Sequence, residues 1–264
     1  MNTRVVVTGV NGRMGSTIAG LVQADPAFEL AGVVEKEERL QGLEGYGCPF
    51  GHDLGKILSD NENCVVIDFT NPEASLQAAG VCARQNTPAV FGTTGFDRDQ
   101  TRELENLARK TPIFWAPNMS VGINVLLSIL PGLQKLLGPK YDLEIMEIHH
   151  KFKKDAPSGT ALKLAQSLAE DREVSLEEEA VFCRKGMIGE RRQCEIGVQT
   201  LRGGDVVGDH TVYFLGPGER IEVTHRAHSR ETFAQGAIRA AAWLAGQKPG
   251  RLYSMADMLA EINS

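Results

Sequence analysis

A short apolar strand that runs directly into a glycine-rich turn constrains the fold of this chain most. The sequence TRVVVT leads into VTGVNGRMG (7–15), which carries three glycines, Gly9, Gly12 and Gly15. An apolar pattern of helical spacing follows, and a second strand over residues 28–34 ends at Glu35. This succession of strand, glycine turn, helix and strand is typical of a βαβ unit that binds a dinucleotide.

The glycines have a physical role in such a unit. They permit a tight turn, a close approach of the backbone to a pyrophosphate, and close packing of the helix on the strand. Glu35 lies about 20 residues after the last glycine, where an acid bonds a ribose 2′-OH. The spacing is G-x-x-G-x-x-G rather than G-x-G-x-x-G, so a glycine-rich turn without a nucleotide is the alternative. The complete context favours dinucleotide binding.

Strands and helices alternate through the first half of the chain. Short apolar strands are predicted at 64–69, 89–91 and 113–115, with helices at 72–85 and 97–110. Such alternation predicts a parallel sheet covered by helices, which binds ligands at the carboxyl ends of its strands. Phe69-Thr70 and the run from Gly92 to Gly95 occur at those ends.

The pattern changes beyond residue 120. A long apolar helix at 123–137, bent by Pro131, precedes longer and more polar strands at 141–149, 180–186, 193–201, 209–215 and 219–225, with a helix at 160–169. Helices at 231–245 and 255–262 are expected to return to the first domain. We therefore predict an α/β protein with a Rossmann-type dinucleotide-binding domain (1–120 and 230–264) and an α+β substrate domain (121–229) with an open mixed sheet.

The segment EIHHKFKKDAPSGTA (147–161) carries the chemistry. It joins a predicted strand to a predicted helix, and its Pro and Gly residues indicate a turn. His149, His150 and Lys153 therefore precede a helix N-terminus, whose backbone N–H groups bind anions. Because histidine gives up a proton near neutral pH, this segment suits an anionic substrate that must be protonated.

Each of these residues also has a structural explanation. His149 and His150 point to opposite faces in a regular strand, so one of them can be a packed histidine. The lysines can form a solvated charge cluster, and Ser158 can be a helix N-cap. A metal site is the rival functional interpretation, but the remaining histidines and the cysteines lack the spacing of metal ligands.

Composition argues against several classes of protein. The 264 residues carry a net charge of −6 with a pI near 5.6, which argues against nucleic acid as the main partner. No run of about 18 apolar residues exists, so no membrane span is expected, and no signal-peptide pattern is found. Five scattered cysteines without a C-x-x-C pair suggest reduced thiols and a cytoplasmic location.

Taken together, these motifs resemble those of the dihydrodipicolinate reductase family (also called 4-hydroxy-tetrahydrodipicolinate reductase) of bacterial lysine synthesis. The matching segments are VTGVNGRMG, DFTNPE (68–73), FGTTGF (91–96), APNMSVGIN (116–124), EIHHKFKKDAPSGTA, LRGGDVVGDHTVYF (201–214) and VTHRAHSRETFAQGA (223–237). They span nearly the whole chain in the expected order, and the segment 147–161 is the most specific of them. The resemblance implies a two-domain homotetramer, with residues 121–229 as substrate-binding and tetramerisation domain. It also implies reduction of a cyclic unsaturated dicarboxylate to tetrahydrodipicolinate with NADH or NADPH.

The resemblance further implies roles for individual residues. His149 is the expected proton donor with Lys153 as its cationic partner, and substrate carboxylates are expected at His150, Lys153, Ser158, Gly159 and Thr160. The expected cofactor contacts are Gly9, Gly12, Arg13, Met14 and Gly15 at the pyrophosphate, Glu35 and Lys36 at the ribose, Phe69, Thr70, Gly92 and Thr94 on the nicotinamide side, and Asn118. The family often has an arginine where Lys36 stands, which leaves the preference between NADH and NADPH open.

Two other functions share parts of this pattern. Another two-domain nicotinamide oxidoreductase, such as an amino-acid or sugar dehydrogenase, has the first domain but does not need the basic segment. A nucleotide-sensing regulator would bind the cofactor without turnover, but no DNA-binding module or basic stripe supports it. No metal, nucleic acid or membrane partner is expected.

Overall fold

The computed structural model describes residues 2–262, and the chain forms two compact units. One unit consists of the chain up to Val121 together with the chain from Glu231, and the other is Gly122–Arg230. The elements in chain order are β1 (Thr3–Thr8), α1 (Arg13–Ala24), β2 (Phe28–Val34), two 3-10 turns (Glu37–Arg39 and Leu43–Tyr46), β3 (Phe50–Gly51), α2 (Leu54–Ser59), β4 (Cys64–Asp68), α3 (Pro72–Gln85), β5 (Ala89–Phe91), α4 (Arg98–Ala108), β6 (Ile113–Trp115), α5 (Val121–Leu137), β7 (Asp142–His149), α6 (Gly159–Asp171), α7 (Leu176–Glu179), β8 (Ala180–Val181), β9 (Ile196–Arg202), β10 (Gly208–Gly216), β11 (Glu219–Ala227), α8 (Glu231–Leu244), β12 (Leu252–Tyr253) and α9 (Met255–Ile262). Within residues 2–262, no helix is long and apolar enough to cross a membrane.

The first unit contains a parallel sheet of seven strands in the order β12-β6-β5-β4-β1-β2-β3. Alternate residues of β1 pack into opposite cores, Val5 and Val7 with α1 and α8, and Val6 with α2, α3 and α4. Thr8 at the end of β1 is in register with Val34 of β2 and with Asp68 of β4. The glycine turn, Glu35 and Asp68 consequently lie at the same edge of the sheet.

The second unit contains a mixed sheet of five strands in the order β11-β10-β7-β9-β8. Strand β10 is antiparallel to β11 and β7, whereas β9 is parallel to β7 and β8. Leu143 and Ile145 of β7 pack into a core with apolar residues of α5 and α6. Since side chains alternate along a strand, Glu147 and His149 point to the same helix-covered face. This register places both polar residues at the buried end of β7.

The predicted fold class is confirmed, one predicted strand was too long, and several short elements were not predicted. The strand predicted at 180–186 ends at Val181, because Arg184 turns away to bind the carboxylates of Glu144 and Glu195 instead of continuing the ladder. The short elements β3, α2, α7 and β12 were not predicted. Two-residue strands such as Phe50–Gly51 carry too few residues to display a period of their own.

Candidate active site

The basic segment of the second unit connects β7 to α6. His149 is the last residue of β7, and Ser158 is the N-cap of α6, with its hydroxyl oxygen accepting a hydrogen bond from the backbone N–H of Ala161. The backbone N–H of His150 donates to the carbonyl of Val206 at 2.8 Å, which ties the loop to the turn between β9 and β10. A strand end, a basic loop and a helix N-terminus are therefore held against one another.

Glu147, which the sequence analysis did not single out, is the hydrogen-bonding centre of this region. Its side chain is fully buried. One oxygen lies 2.5 Å from Nδ1 of His149 and 2.7 Å from Arg202, and the other accepts bonds from Ser158 N–H (2.9 Å), Arg202 (2.9 Å) and the Thr200 hydroxyl (3.2 Å). Burial alone would raise the pKa of Glu147, but the bonds from Arg202, His149 and Ser158 together lower it to about 2. Glu147 is therefore a carboxylate that can only accept hydrogen bonds.

The imidazole of His149 is held on two sides. Its Nδ1 donates to Glu147, and its ring meets the ring of His210 edge to face, with centroids 5.2 Å apart. Burial lowers the pKa of His149, the charges of Lys153 and Arg202 lower it further, and Glu147 opposes both effects. Because the net shift is downward, a protonated His149 gives up its proton readily at neutral pH.

A second buried imidazole supports the helix N-cap. Nε2 of His210 lies 3.2 Å from the hydroxyl oxygen of Ser158, and both residues are almost completely buried. Burial, reinforced by the nearby His149, lowers the pKa of His210 to about 4, so this ring is neutral at neutral pH. Nδ1 of His210 has no hydrogen-bond partner among the described residues.

Lys153 and His150 lie on the loop itself. Nζ of Lys153 is 2.9 Å from the carboxylate of Asp155, whose own pKa is lowered by that hydrogen bond. An ammonium group has three donors, so Lys153 retains capacity for an anion. Nδ1 of His150 is buried and has no partner within the part of the chain that the structure describes.

Together these groups can bind an anion and protonate it. Gly159 and Thr160 begin α6, and the first N–H groups of a helix have no acceptor within the helix. The helix start, the ammonium group of Lys153 and the imidazole of His149 all belong to the same short connection. No group of three histidine, cysteine or acidic residues within residues 2–262 is placed to hold a metal ion.

The glycine turn of the first unit joins β1 to α1. Gly9 has a φ of +61°, and its carbonyl accepts a hydrogen bond of 2.9 Å from the N–H of Gly12, the N-cap of α1. A Cβ atom at Gly15 would collide with the backbone of Gly9, so only glycine permits this approach of helix and turn. Arg13 is exposed and Met14 is partly buried at the start of the helix.

Glu35 is buried directly beside this turn. One of its oxygens accepts a hydrogen bond from the N–H of Asn11 at 3.0 Å, and the other accepts one from the N–H of Lys36 at 2.9 Å. A carboxylate offers about four acceptor positions, so both oxygens can still accept bonds from a diol. Lys36 itself is exposed.

Asp68, at the end of β4, is a second buried carboxylate that the sequence analysis missed. It accepts hydrogen bonds from the hydroxyl groups of Thr8 (2.5 Å), Thr70 (2.9 Å), Ser75 (2.5 Å) and Thr93 (3.2 Å), and from the N–H of Thr70 (3.0 Å). These bonds connect the ends of β1 and β4 with the segment after β5. The available signal was an acid at the end of a buried strand with threonines at neighbouring strand ends.

Three of the residues expected on the nicotinamide side, Phe69, Thr70 and Gly92, lie next to this carboxylate. A Cβ atom at Gly9 would lie 2.6 Å from the side-chain methyl of Thr70, which places Thr70 against the glycine turn. The ring of Phe69 occupies the space that a side chain at Gly92 would need. The two remaining expected contacts are Thr94, which is exposed, and Asn118, which is partly buried and accepts a bond from the N–H of Ser120.

Comparison with known families places both units in one family. The family model described as dihydrodipicolinate reductase, N-terminus, matches residues 3–119, and the model for the C-terminus matches residues 122–259. A 4-hydroxy-tetrahydrodipicolinate reductase of Oleidesulfovibrio alaskensis is 61% identical over 98% of this chain and 100% of its own length. One of Nitratidesulfovibrio vulgaris is 60% identical over the same shares.

Solved structures give the same result at the level of the fold. A dipicolinate-bound dihydrodipicolinate reductase from Paenisporosarcina sp. TG-14 matches with a TM-score of 0.77 and 25% identity, covering 96% of this chain and 98% of that one. An amine dehydrogenase from Mycobacterium smegmatis matches with a TM-score of 0.60 and 13% identity, covering 96% of this chain and 95% of its own. The second likeness extends to the fold alone.

Proposed function

The chain belongs to the dihydrodipicolinate reductase family, and from this membership we propose how its residues divide the work of the reaction. The protein is an oxidoreductase that uses a pyridine nucleotide to reduce 4-hydroxy-tetrahydrodipicolinate to tetrahydrodipicolinate in lysine and diaminopimelate biosynthesis. In this proposal the first unit binds the cofactor, and the second unit binds the substrate and supplies the proton. The observation that carries it is the loop that places His149 and Lys153 beside the N-terminus of α6.

The residues of the first unit fit a dinucleotide. The pyrophosphate would approach the N-terminus of α1 over Gly9, Gly12 and Gly15, where a side chain at Gly9 or Gly15 would meet neighbouring atoms. Arg13 and Met14, in the first turn of α1, would border it. On the nicotinamide side we propose Phe69, Thr70, Gly92, Thr94 and Asn118. A bound nicotinamide supplies the hydride, and the protein supplies position and charge.

The ribose contact decides between the two nucleotides. We propose that Glu35 accepts hydrogen bonds from the ribose diol, since both of its oxygens have acceptor capacity beside the glycine turn. The same carboxylate repels a 2′-phosphate, and the exposed Lys36 offsets that repulsion as a point charge. Both NADH and NADPH are therefore expected to serve, with NADH equal or better.

The second unit would hold the dicarboxylate and protonate it. The carboxylate groups would bind Lys153, the imidazole of His150, and the start of α6 at Ser158, Gly159 and Thr160. Hydride addition to a conjugated imine builds negative charge, which the ammonium of Lys153 stabilises. Protonated His149 then donates a proton to that anion, and the lowered pKa makes this protonated form a stronger acid.

We also propose that the protein is a homotetramer in the cytoplasm. The face of the five-stranded sheet opposite α5 and α6 carries the apolar residues Met146, Ile148 and Leu201, of which Leu201 is 45% exposed. This group of apolar residues, on a face that also carries the ion-paired Glu144, suits burial against another copy of the chain. The five cysteines, all in the described part of the chain, are free thiols, as expected in a reducing compartment.

Turnover by loop variants tests the assignment of the two catalytic residues. His149→Ala and Lys153→Ala are each expected to lower kcat by about 10²–10⁴-fold, because a positioned acid or its cationic partner is lost. The dissociation constant for NADH should remain close to wild type. Lys154→Ala, which removes an exposed lysine of the same loop, is the matched control. Turnover near wild type in both His149→Ala and Lys153→Ala would contradict the assignment.

A further inference from the structure

The assigned roles leave Glu147, the buried charge beside His149, without a function. Glu147 is fully buried and accepts five hydrogen bonds, two of them from the guanidinium of Arg202. Removing a carboxylate from water costs on the order of several kcal/mol unless hydrogen-bond partners and opposite charges compensate for the lost hydration. A plain structural residue at this position would be apolar, like Leu143 and Ile145 on the same face of β7. The charge is therefore more than packing requires.

The contacts of Glu147 determine which nitrogen of His149 carries a proton. A carboxylate has no proton to donate, so the 2.5 Å contact requires a hydrogen on Nδ1 of His149. Nε2 then becomes the nitrogen that gains and loses the exchangeable proton. Gly208, the first residue of β10, leaves the space beside this atom free, because a Cβ atom there would lie 2.9 Å from Nε2.

Titratable groups on β7, β9, β10 and the loop after β7 surround His149. Glu147 lies two residues before it on β7, Lys153 is on the following loop, Arg202 ends β9, and the neutral ring of His210 packs from β10. Glu147 favours the protonated imidazole, whereas Arg202 and Lys153 disfavour it. The buried Glu147 and the partly buried Arg202 thus exert opposite electrostatic effects on the same ring.

We propose that Glu147 is a positioning residue for proton transfer, which holds His149 with its proton on Nδ1 and leaves Nε2 to face the substrate, and that Arg202 balances its charge. This proposal rests on the proposed role of His149 as proton donor. Glu147 acts only through His149 and does not contact the reacting atoms. The same carboxylate also fixes the N–H of Ser158, so it aligns the proton donor with the helix start that would bind the substrate.

The proposal requires opposite effects from two substitutions. Glu147→Gln keeps an acceptor for Nδ1 but removes the negative charge, so the pKa of His149 should fall. Arg202→Gln removes the positive charge, so the pKa of His149 should rise. If these residues only maintained the fold, their substitution would lower activity and stability but would not shift the pKa of His149 in opposite directions.

The experiment combines NMR titration with pH profiles. The pKa and tautomer of His149 are measured in the free enzyme by ¹⁵N shifts of its ring, and kcat/KM is measured over pH, since it reports the free enzyme. Because His149 must be protonated to donate, kcat/KM falls as pH rises through its pKa. That fall should move to lower pH in Glu147→Gln and to higher pH in Arg202→Gln. At the optimum, kcat of Glu147→Gln should drop by roughly 10- to 100-fold, less than on removal of the acid itself.

Controls separate this inference from the proposed function. Glu144→Gln makes the same change on the opposite face of β7, where Glu144 binds Arg184, and should leave the titration of His149 unchanged. Arg202→Lys keeps the positive charge, so the pKa of His149 in this variant should lie closer to the wild-type value than in Arg202→Gln. If Glu147→Gln fails to fold, Arg202→Gln alone carries the test. Titration of His149 on Nδ1, or no movement of its pKa in the charge variants, overturns the positioning role. An unaffected His149→Ala enzyme overturns the proposed function instead.

Discussion

At the residue scale, His210 is an imidazole that the fold keeps neutral. Its pKa falls from 6.5 to about 4, mainly through burial. Between these values the unfolded chain binds a proton that the folded chain does not, so stability rises with pH over this window. The contribution of the neutral His210 to stability is fully present above pH 6.5 and is lost as the pH falls to about 4. A pKa shift of this size corresponds to a free energy on the order of 3 kcal/mol.

His210→Gln is therefore expected to flatten the loss of stability in acid. The variant should be less stable than wild type at pH 8, because it packs less well against His149, yet lose less free energy of unfolding between pH 6.5 and 4.5. Urea unfolding at a fixed protein concentration measures the free energy of unfolding at pH 8 and its change between pH 6.5 and 4.5. His52→Gln, at an exposed histidine, is the matched control. A variant as acid-sensitive as wild type would contradict the account of His210.

A second residue-scale prediction concerns the choice of nucleotide. Lys36→Ala should raise KM for NADPH and leave NADH nearly unchanged, since the exposed ammonium serves only to offset repulsion of a 2′-phosphate. Glu35→Ala should raise KM for NADH more than KM for NADPH, because the ribose diol of NADH loses its hydrogen-bond acceptor. The effect of Lys36 should shrink at high salt, which screens exposed charges. Measuring kcat/KM for NADH and for NADPH at two ionic strengths tests this prediction. A wild-type enzyme almost exclusive to NADPH would show this ribose contact to be wrong.

At the element scale, the start of β10 must remain without a side chain. Gly208→Ala would place a Cβ atom 2.9 Å from Nε2 of His149, whose ring cannot retreat while Nδ1 is bound to Glu147. We expect kcat to fall by roughly 10-fold or more, within the range that a positioned acid contributes, with little change in cofactor affinity. Gly203→Ala is the control, because a Cβ atom there meets no neighbour. Equal activity in the two variants would remove the steric argument.

Elements with a strong local pattern could be predicted from sequence. The glycine turn between β1 and α1 and the strand β2 follow from periodicity and turn chemistry over short spans. Strand β8 was predicted too long, because Arg184 beyond Val181 forms ion pairs with Glu144 of β7 and with Glu195. Such pairing has no signature within the segment itself.

The two buried carboxylates illustrate the same limit within the sites. Glu147 draws on Arg202, which is 55 residues away, and Asp68 draws on Thr8, which is 60 residues away. Their partners become known only when the strand order places those residues together. The alternation of Ile145, Glu147 and His149 on one face did contain a signal, since an acid among inward-facing residues needs a partner.

At the scale of the whole molecule, each unit has its own core, but the second unit covers only one face of its sheet with helices. On the opposite face, Met146 and Ile148 of β7 are only partly buried, and Leu201 of β9 is paired in register with Ile148. Large apolar faces on monomers mark interfaces. If this face joins copies of the chain, a charge placed on it should break the assembly without unfolding the unit.

Leu201→Glu tests this expectation. Wild type should elute with about four times the 28.7 kDa mass of one chain. The variant should elute with a smaller mass, because an unpaired carboxylate buried at the interface costs roughly several kcal/mol. Light scattering after size exclusion gives the mass, and circular dichroism checks the fold. Leu136→Glu, on α5, changes a residue that is 88% exposed and should leave the mass unchanged. A monomeric wild type, or a Leu201→Glu variant that keeps the full mass, would exclude this face from the assembly.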